Sequence, residues 1–293
     1  MIWFGPAGSS ESFSAMGYKA VWQAPEYLEK MGLNAYEYQC GRGVRVNADN
    51  AVRLKAAARE KGIRLSLHAP YYISLSSVET EKRQASIRYI LESAAAARMI
   101  GADRVVVHSG SCAKISREKA LELAKETLKT ALDEMDAAGY GEIILCPETM
   151  GKHNQLGTLD EVLALCGIDE RLIPCVDFGH LNARTLGGVN SEQAFEEVIT
   201  TMERALGTVR ARKFHAHFSK IEYTENGGEK RHLTFADTVY GPHFGPLAGV
   251  LLRHGCEPVV ICESAGTQAE DAAAMKTMYE AAQASGNGGS TND

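Results

Sequence analysis

The chain has 293 residues, of which 45% are hydrophobic and 23% are charged, and its formal net charge is −6. This composition indicates a globular protein with a core large enough to need no disulfide or structural metal. The acidic balance counts against a simple electrostatic binder of nucleic acid, but it allows a local basic rim or a metal site that carries positive charge.

Strand-like and helix-like segments alternate along the whole chain. Amphipathic segments such as "ADNAVRLKAAAREKG" and "EQAFEEVITTMERALG" place apolar residues three and four positions apart, as helices do. Helices that follow each strand imply parallel strands joined by crossovers, so the predicted fold is α/β, a single (β/α)8 TIM barrel. The eight predicted strands lie, in chain order, in "MIWFG", "NAYEYQC", "IRLSLHAP", "DRVVVHSG", "GEIILCPET", "RLIPCVDFGH", "RKFHAHFS" and "EPVVICES". The helices expected to end at a glycine do so at Gly62, Gly101, Gly139 and Gly207.

The domain boundaries follow from composition. We expect one barrel over residues 1–283 and a disordered tail over residues 284–293, which are rich in Gly, Ser and Asn. The longest irregular segment covers about residues 221–246, and loops of that length are usually functional. Seven cysteines without a C-x-x-C spacing indicate reduced thiols and a cytoplasmic protein. We expect no signal peptide, no membrane span and a monomeric chain.

Metal-ligand side chains end six consecutive predicted strands, from the third to the eighth. Active sites of such barrels lie at the C-terminal ends of the strands, so these side chains should meet at one mouth. Imidazoles and carboxylates are ligands for Zn²⁺, Mn²⁺ and Fe²⁺, and the pattern therefore predicts a metal site at this face. The residues are His68, His108, Glu148, Asp177 with His180, His217 with His215 as its alternative, and Glu263.

More than one metal can be built from this set. Glu148, Asp177, His217 and Glu263 would complete one site, while His68 and His108 could share a bridging Glu148 in a second. His180 could begin a third site with residues of the long loop. Metals a few ångströms apart suit phosphodiester hydrolysis.

The motifs resemble those of endonuclease IV, the apurinic/apyrimidinic endonucleases of the xylose-isomerase-like barrel superfamily. The resemblance covers nearly the whole chain and depends on "SLHAPYYISLSS", "VVVHSGS", "PETMGKHNQLGTLDEV", "CVDFGHLNAR", "HAHFSK" and "ICESAG". "HAPYYISL" and the Asp-x-x-His of "CVDFGH" are the most specific of these motifs.

The resemblance implies two or three zinc ions, with Mn²⁺ or Fe²⁺ as alternatives, and Glu148 and Glu263 as catalytic carboxylates. His68 and His108 would hold the first metal, with Glu148 bridging it to the second. Asp177, His217 and Glu263 would complete the second metal site, and His180 would hold the third. The implied reaction is cleavage of double-stranded DNA 5′ to an abasic site, in base excision repair, by a metal-bridging hydroxide, with the lesion flipped into the pocket.

Two departures from the family pattern concern the third metal and the fifth strand. The family normally has an Asp-x-His pair in the loop after the seventh strand, and this loop has none, so His232 and Asp237 are the substitutes, with His243 as a weaker one. The motif of the fifth strand reads Glu148, Thr149, Met150, where the family usually has Asn after the Glu.

Contacts with DNA are expected from loops at the mouth. The predicted residues are Tyr72, as an aromatic inserted near the lesion, with Arg42, Arg45, Arg184, Lys220, Lys230 and Arg231 for phosphates. Two other functions stay open. One is a single-metal sugar isomerase or epimerase of the same superfamily, using the two glutamates as acid and base, and the other is a non-enzymatic DNA- or metal-binding protein.

Overall fold

The computed structural model describes residues 1–287 and shows the predicted barrel. Within these residues the strands are β1 (Trp3–Pro6), β2 (Ala35–Gln39), β3 (Arg64–His68), β4 (Arg104–Val107), β5 (Ile144–Pro147), β6 (Cys175–Asp177), β7 (His215–Phe218), β8 (Ile221–Thr224), β9 (Gly228–His232) and β10 (Val259–Cys262). All eight predicted strands are present, as β1 to β7 and β10. The hairpin of β8 and β9 was not predicted.

The eight barrel strands are parallel. Hydrogen bonds join β1, β10, β7 and β6 in one row and β2, β3, β4 and β5 in another. The bridges Ala7 to Glu37 and Glu148 to Cys175 connect the two rows at β1–β2 and β5–β6. The strands therefore form a closed ring, which leaves no unpaired sheet edge in the barrel wall of the described chain.

Helices cover the outside of the ring. They are α1 (Glu11–Ala15), α2 (Ala24–Lys30), α3 (Ala48–Lys61), α4 (Thr80–Ile100), α5 (Arg117–Ala137), α6 (Leu159–Cys166), α7 (Phe178–Arg184), α8 (Glu192–Leu206), α9 (Thr208–Ala211), α10 (Phe244–Arg253) and α11 (Gln268–Asn287), with a 3₁₀ turn at Val21–Gln23. Fully buried residues such as Leu54, Ile90 and Leu128 pack their inner faces against the strands. Gly62 and Gly101 end α3 and α4 in the left-handed conformation, as expected.

The segment 221–246, predicted to be irregular, contains the antiparallel hairpin β8–β9. The turn "ENGG" between the two strands carries an Asn-Gly pair, which is a hairpin signal that the sequence already offered. Lys152 bridges to Gly228, so the hairpin lies against the loop that follows β5. This contact brings β9 over the mouth of the barrel.

The last helix is longer than predicted. Helix α11 continues to Asn287, four residues beyond the predicted end of the barrel, and residues 288–293 of the predicted tail lie outside the described part of the chain.

All seven cysteines are free thiols. No helix within residues 1–287 is both long and apolar enough to cross a membrane.

Candidate metal centre at the mouth of the barrel

Glu148, directly after β5, lies at the centre of the mouth with 1% of its surface exposed. Its Oε2 atom is 3.3 Å from His68 Nε2 and 3.1 Å from His108 Nε2. Its Oε1 atom is 3.1 Å from His217 Nδ1 and 3.4 Å from His180 Nδ1. One carboxylate thus faces imidazoles from both sides, as a carboxylate that bridges two metals would.

A group of four potential ligands surrounds Glu148 Oε1. Donor atoms of Glu148, Asp177, His217 and Glu263 all lie within 4.8 Å of one another. Asp177 caps the first turn of α7, since its Oδ1 accepts a hydrogen bond of 2.7 Å from the His180 amide. Its buried Oδ2 has no hydrogen bond in the described residues, and His180 Nδ1 is its ion-pair neighbour at 3.2 Å. A buried carboxylate oxygen without a hydrogen bond is costly, so this donor set fits a divalent cation.

A second group includes the hairpin. Donor atoms of His180, Glu229 and His232 lie within 4.8 Å of one another, and His180 Nε2 is 3.5 Å from Glu229 Oε2. A Cβ atom added to Gly151 would lie 2.6 Å from Glu229 Cβ and 3.0 Å from His180 Cδ2. Only glycine therefore lets the hairpin approach His180 this closely.

Backbone carbonyls orient two of the imidazoles. His68 Nδ1 is 2.7 Å from the Ala69 carbonyl oxygen, and His180 Nδ1 is 2.9 Å from the Thr149 carbonyl oxygen. An N–H at Nδ1 leaves the lone pair at Nε2, which in both rings points into the mouth. Metal-ligating histidines usually have their second nitrogen fixed in this way.

The charged groups of the site shift the pKa values of their neighbours. Burial raises the pKa of Glu148, but His217, His108 and His180 outweigh burial and hold this pKa well below its ordinary value. Burial lowers the pKa of His180, but Asp177 and Glu148 outweigh it and raise this pKa well above its ordinary value. The Glu148 carboxylate is thus ionised at neutral pH, and a metal that binds at His180 must displace its proton.

The two histidines of β7 have different surroundings. His217 Nδ1 faces the mouth, 3.5 Å from Glu263 Oε2. His215 Nε2 is instead 2.9 Å from Glu37 Oε2, deeper in the barrel. Burial lowers the pKa of His215 to about 4, outweighing the attraction of Glu37, so this ring is neutral. Of the two predicted alternatives, only His217 joins the four-ligand group.

Of the two residues predicted as substitutes in the third metal site, one lies beside His180 and the other does not. His232 lies beside His180, with ring centroids 5.5 Å apart. Asp237 is not in the group of His180, Glu229 and His232, and its Oδ1 closes a turn by accepting hydrogen bonds from the amides of Val239 (2.9 Å) and Tyr240 (2.7 Å). The structure therefore brings Glu229, and not Asp237, beside His180.

Four residues predicted to contact DNA phosphates have partners within the protein. Arg184 donates to the carbonyl oxygens of Met150, Lys152 and Gln155 at 2.7–2.8 Å, and so holds the loop after β5. Lys220 is 6% exposed, and its Nζ donates to the carbonyls of Phe235 and Asp237. These two predictions are wrong for free phosphate contacts. Arg231, although exposed, is paired with Glu222 at 2.6 Å, and Lys230 is paired with the same carboxylate.

The other predicted DNA contacts lie at the rim. Tyr72 is 51% exposed but packs edge-to-face on Tyr89, with ring centroids 4.8 Å apart, beside a groove outside the metal pocket. Arg42 is exposed in the loop after β2. Tyr71 is the aromatic that lines the metal pocket, because its ring stacks on His108 with centroids 5.8 Å apart.

Several pocket residues were not predicted from the sequence. The pocket encloses about 470 Å³ and includes Lys152 and Gln155 from the loop after β5, besides Tyr71 and Glu229. Glu37, which is fully buried on β2, lies beneath it. A charged residue within the apolar run "NAYEYQC" was the available signal for Glu37, and the hairpin turn was the signal for Glu229.

Comparison with known proteins shows which family the chain is similar to. The family model described as xylose isomerase-like TIM barrel matches residues 25–282. An uncharacterised protein of Methanocaldococcus jannaschii is 34% identical over 280 residues, which span 96% of this chain and 98% of that protein. A probable endonuclease 4 of Acholeplasma laidlawii is 30% identical over 134 residues, which span 43% of this chain and 45% of that protein.

Solved structures share the fold at low identity. Endonuclease IV from Thermus thermophilus is 20% identical with a TM-score of 0.69, and the match covers 97% of this chain and 99% of that one. A D-tagatose 3-epimerase-like protein is 18% identical with a TM-score of 0.72, covering 98% of each chain. The resemblance to endonuclease IV is thus confirmed as a similarity, alongside one to sugar epimerases. Because the family model matches most of its length, the chain belongs to the xylose isomerase-like TIM barrel family.

Proposed function

We propose that this protein is a metal-dependent phosphodiester hydrolase of the endonuclease IV type, which cuts double-stranded DNA 5′ to abasic sites. The observation that carries the proposal is the position of Glu148, whose two oxygens face different groups of imidazoles. A single-metal enzyme needs only the group of Glu148, Asp177, His217 and Glu263. It has no use for His68 and His108 on the far side of the same carboxylate.

The donor set of mixed imidazoles and carboxylates suits Zn²⁺, with Mn²⁺ or Fe²⁺ as alternatives. When bound, divalent metals would supply positive charge that binds a phosphate and lowers the pKa of water. The Glu148 and Glu263 carboxylates lie 3.1 and 3.5 Å from His217 Nδ1, and Lys152 lines the wall of the pocket. Tyr71 presents an aromatic surface above His108, on which a flat or sugar ring can pack.

A second candidate is a sugar epimerase with one metal. The similarity to a D-tagatose 3-epimerase-like protein over 98% of both chains favours it, as does the self-sufficient four-ligand group. In that reaction Glu148 and Glu263 would act as acid and base on a sugar.

An incision assay tests the proposal. Metal-loaded protein is offered a labelled duplex with one abasic-site analogue, together with the same duplex without the lesion. We expect nicks 5′ to the lesion that leave a 3′-hydroxyl, and loss of nicking in His108→Ala and Glu263→Ala. His254→Ala is a matched control, because this histidine pairs with Glu196 and Glu203 on the outer helices. Absence of nicking, together with one metal per chain and turnover of ketoses, would establish the epimerase instead.

A further inference from the structure

Glu37 is a fully buried carboxylate on β2, beneath the pocket, with four polar groups around it. Its Oε2 accepts a hydrogen bond from Ser66 Oγ at 3.0 Å and lies 2.9 Å from His215 Nε2. Its Oε1 accepts one from Gln39 Nε2 at 3.1 Å and lies 3.0 Å from His217 Nε2. A carboxylate offers about four lone-pair sites, and three of these neighbours form hydrogen bonds with Glu37, while His217 Nε2 lies at ion-pair distance without an aligned hydrogen bond.

Glu37 contacts the second ring nitrogen of His217, and a backbone carbonyl contacts the second ring nitrogen of two other candidate ligands. His68 and His180 have their Nδ1 atoms at the carbonyls of Ala69 and Thr149. Within residues 1–287 the His217 ring has no hydrogen bond to a backbone carbonyl, and its far nitrogen faces Glu37. The His217 ring therefore lies between two carboxylates, because its Nδ1 is 3.1 Å from Glu148 Oε1 and its Nε2 is 3.0 Å from Glu37 Oε1.

We propose that Glu37 is a positioning residue that holds His217 with its proton at Nε2, so that the Nδ1 lone pair faces Glu148 and Glu263. This inference rests on the proposed metal centre and goes beyond it, because His217 is the candidate ligand through which Glu37 would act. A carboxylate with hydrogen bonds to a ligand imidazole fixes its tautomer and increases its basicity.

The cost of burying Glu37 supports this role. Burying a carboxylate costs hydration, and apolar residues of similar volume often replace buried charges without loss of stability. A fully buried carboxylate in the middle of a barrel, 3.0 Å from the far nitrogen of a candidate ligand, is explained if it orients His217.

The experiment compares Glu37→Met, which keeps the volume but has no acceptor, with Glu37→Gln, whose amide oxygen can still accept from His217. Zinc affinity and stoichiometry are measured by competition with a chelating dye, and the metal-free variants are crystallised. We expect Glu37→Met to bind zinc about 10- to 100-fold more weakly, with the His217 ring turned away from Glu148. Glu37→Gln should keep the ring orientation and recover most of the affinity.

His215→Gln is the matched control, since it removes the other imidazole from Glu37 at the same depth. It should leave zinc affinity close to that of the unaltered protein. Equal losses in His215→Gln and Glu37→Met, or an unmoved His217 ring in Glu37→Met, would overturn the positioning role. A zinc ion found between Cys175 and His215, whose donor atoms lie near His217, would also overturn it.

The ring orientation separates this inference from the proposed function. If the unaltered protein binds no zinc, the proposed hydrolase fails. The metal-free crystals still decide whether Glu37 positions His217.

Discussion

His180 Nε2 lies 3.5 Å from Glu229 Oε2. The β8–β9 hairpin, which was not predicted, therefore adds a carboxylate to the candidate ligands around His180. The pair joins α7 to β9, two elements that meet only because the hairpin folds over the barrel. Glu229 lies in the loop region where the family normally has the aspartate of an Asp-x-His pair, which this sequence lacks.

Replacing Glu229 with Gln should remove one metal per chain and leave the others in place, because only the group of His180, Glu229 and His232 loses a charged ligand. Metal content is measured by mass spectrometry after dialysis, and incision is measured in parallel. Glu225→Gln, in the exposed hairpin turn, is the control and should change neither quantity. Full metal content in Glu229→Gln would show that Glu229 is not a ligand.

Gly151→Ala should reproduce the Glu229 result without altering any ligand. The new methyl group would meet Glu229 Cβ at 2.6 Å and force the hairpin away from His180. Metal analysis and the incision assay measure the effect. Gly245→Ala is a useful control, because nothing in the described chain lies within 4 Å of the added methyl group. If the Gly151 variant keeps all its metal, the hairpin moves without consequence for the site.

Removing the metal should destabilise the fold. The buried Glu148 and Asp177 carboxylates would lose their counter-charge, and a cation that binds only the folded state stabilises it by mass action. At a free metal concentration of about 100 times the dissociation constant this is about 2.7 kcal/mol, and chelation should lower the melting temperature by several degrees. Calorimetry with chelator, followed by added zinc, measures it. An unchanged melting temperature would argue against a metal at this site.

The stability of the loop after β5 should depend on pH through Glu161. Its carboxylate accepts from Arg117 Nε (2.7 Å) and Nη2 (2.6 Å) and from the amides of Gly157 and Thr158 (both 2.8 Å). Burial raises the pKa of Glu161, but Arg117 and the two amides outweigh burial and lower it. A depressed pKa in the folded state contributes stability above the unfolded value of about 4.3, and this stability is lost as the pH falls through the folded pKa.

Glu161→Gln should therefore be less stable by about 2 kcal/mol at pH 7. The difference from the unaltered protein should begin to shrink as the pH falls below the unfolded value of about 4.3, and it should vanish only below the folded pKa, where both proteins carry a neutral side chain. Urea unfolding midpoints measured at pH 7 and at a series of acidic pH values test this. Glu192→Gln, in an exposed pair with Arg253, should change stability by less than about 1 kcal/mol at any of these pH values. A constant difference at all of these pH values would mean that the charge of Glu161 is unimportant.

Much of this protein was predictable because the signals are local. An apolar run followed by His108 or Glu148 identifies a buried strand and the polar residue at its end, and the alternation of strands and helices identifies the barrel. Arg184 and Lys220 were misassigned for the same reason. Their charges are visible in the sequence, but the carbonyl groups that occupy them belong to loops whose path is set by folding.

Local patterns in the sequence predicted eight barrel strands, their parallel order and the metal-ligand side chains at six strand ends. These follow from the period of two in strands and 3.6 in helices and from where each run ends. The position of His217 rather than His215 beside Glu148, of Glu37 behind it and of Glu229 beside His180 depends on how distant parts of the chain pack together. Alternation places both β7 histidines on the same face of the strand, but their depth and their partners depend on how distant strands pair around the ring.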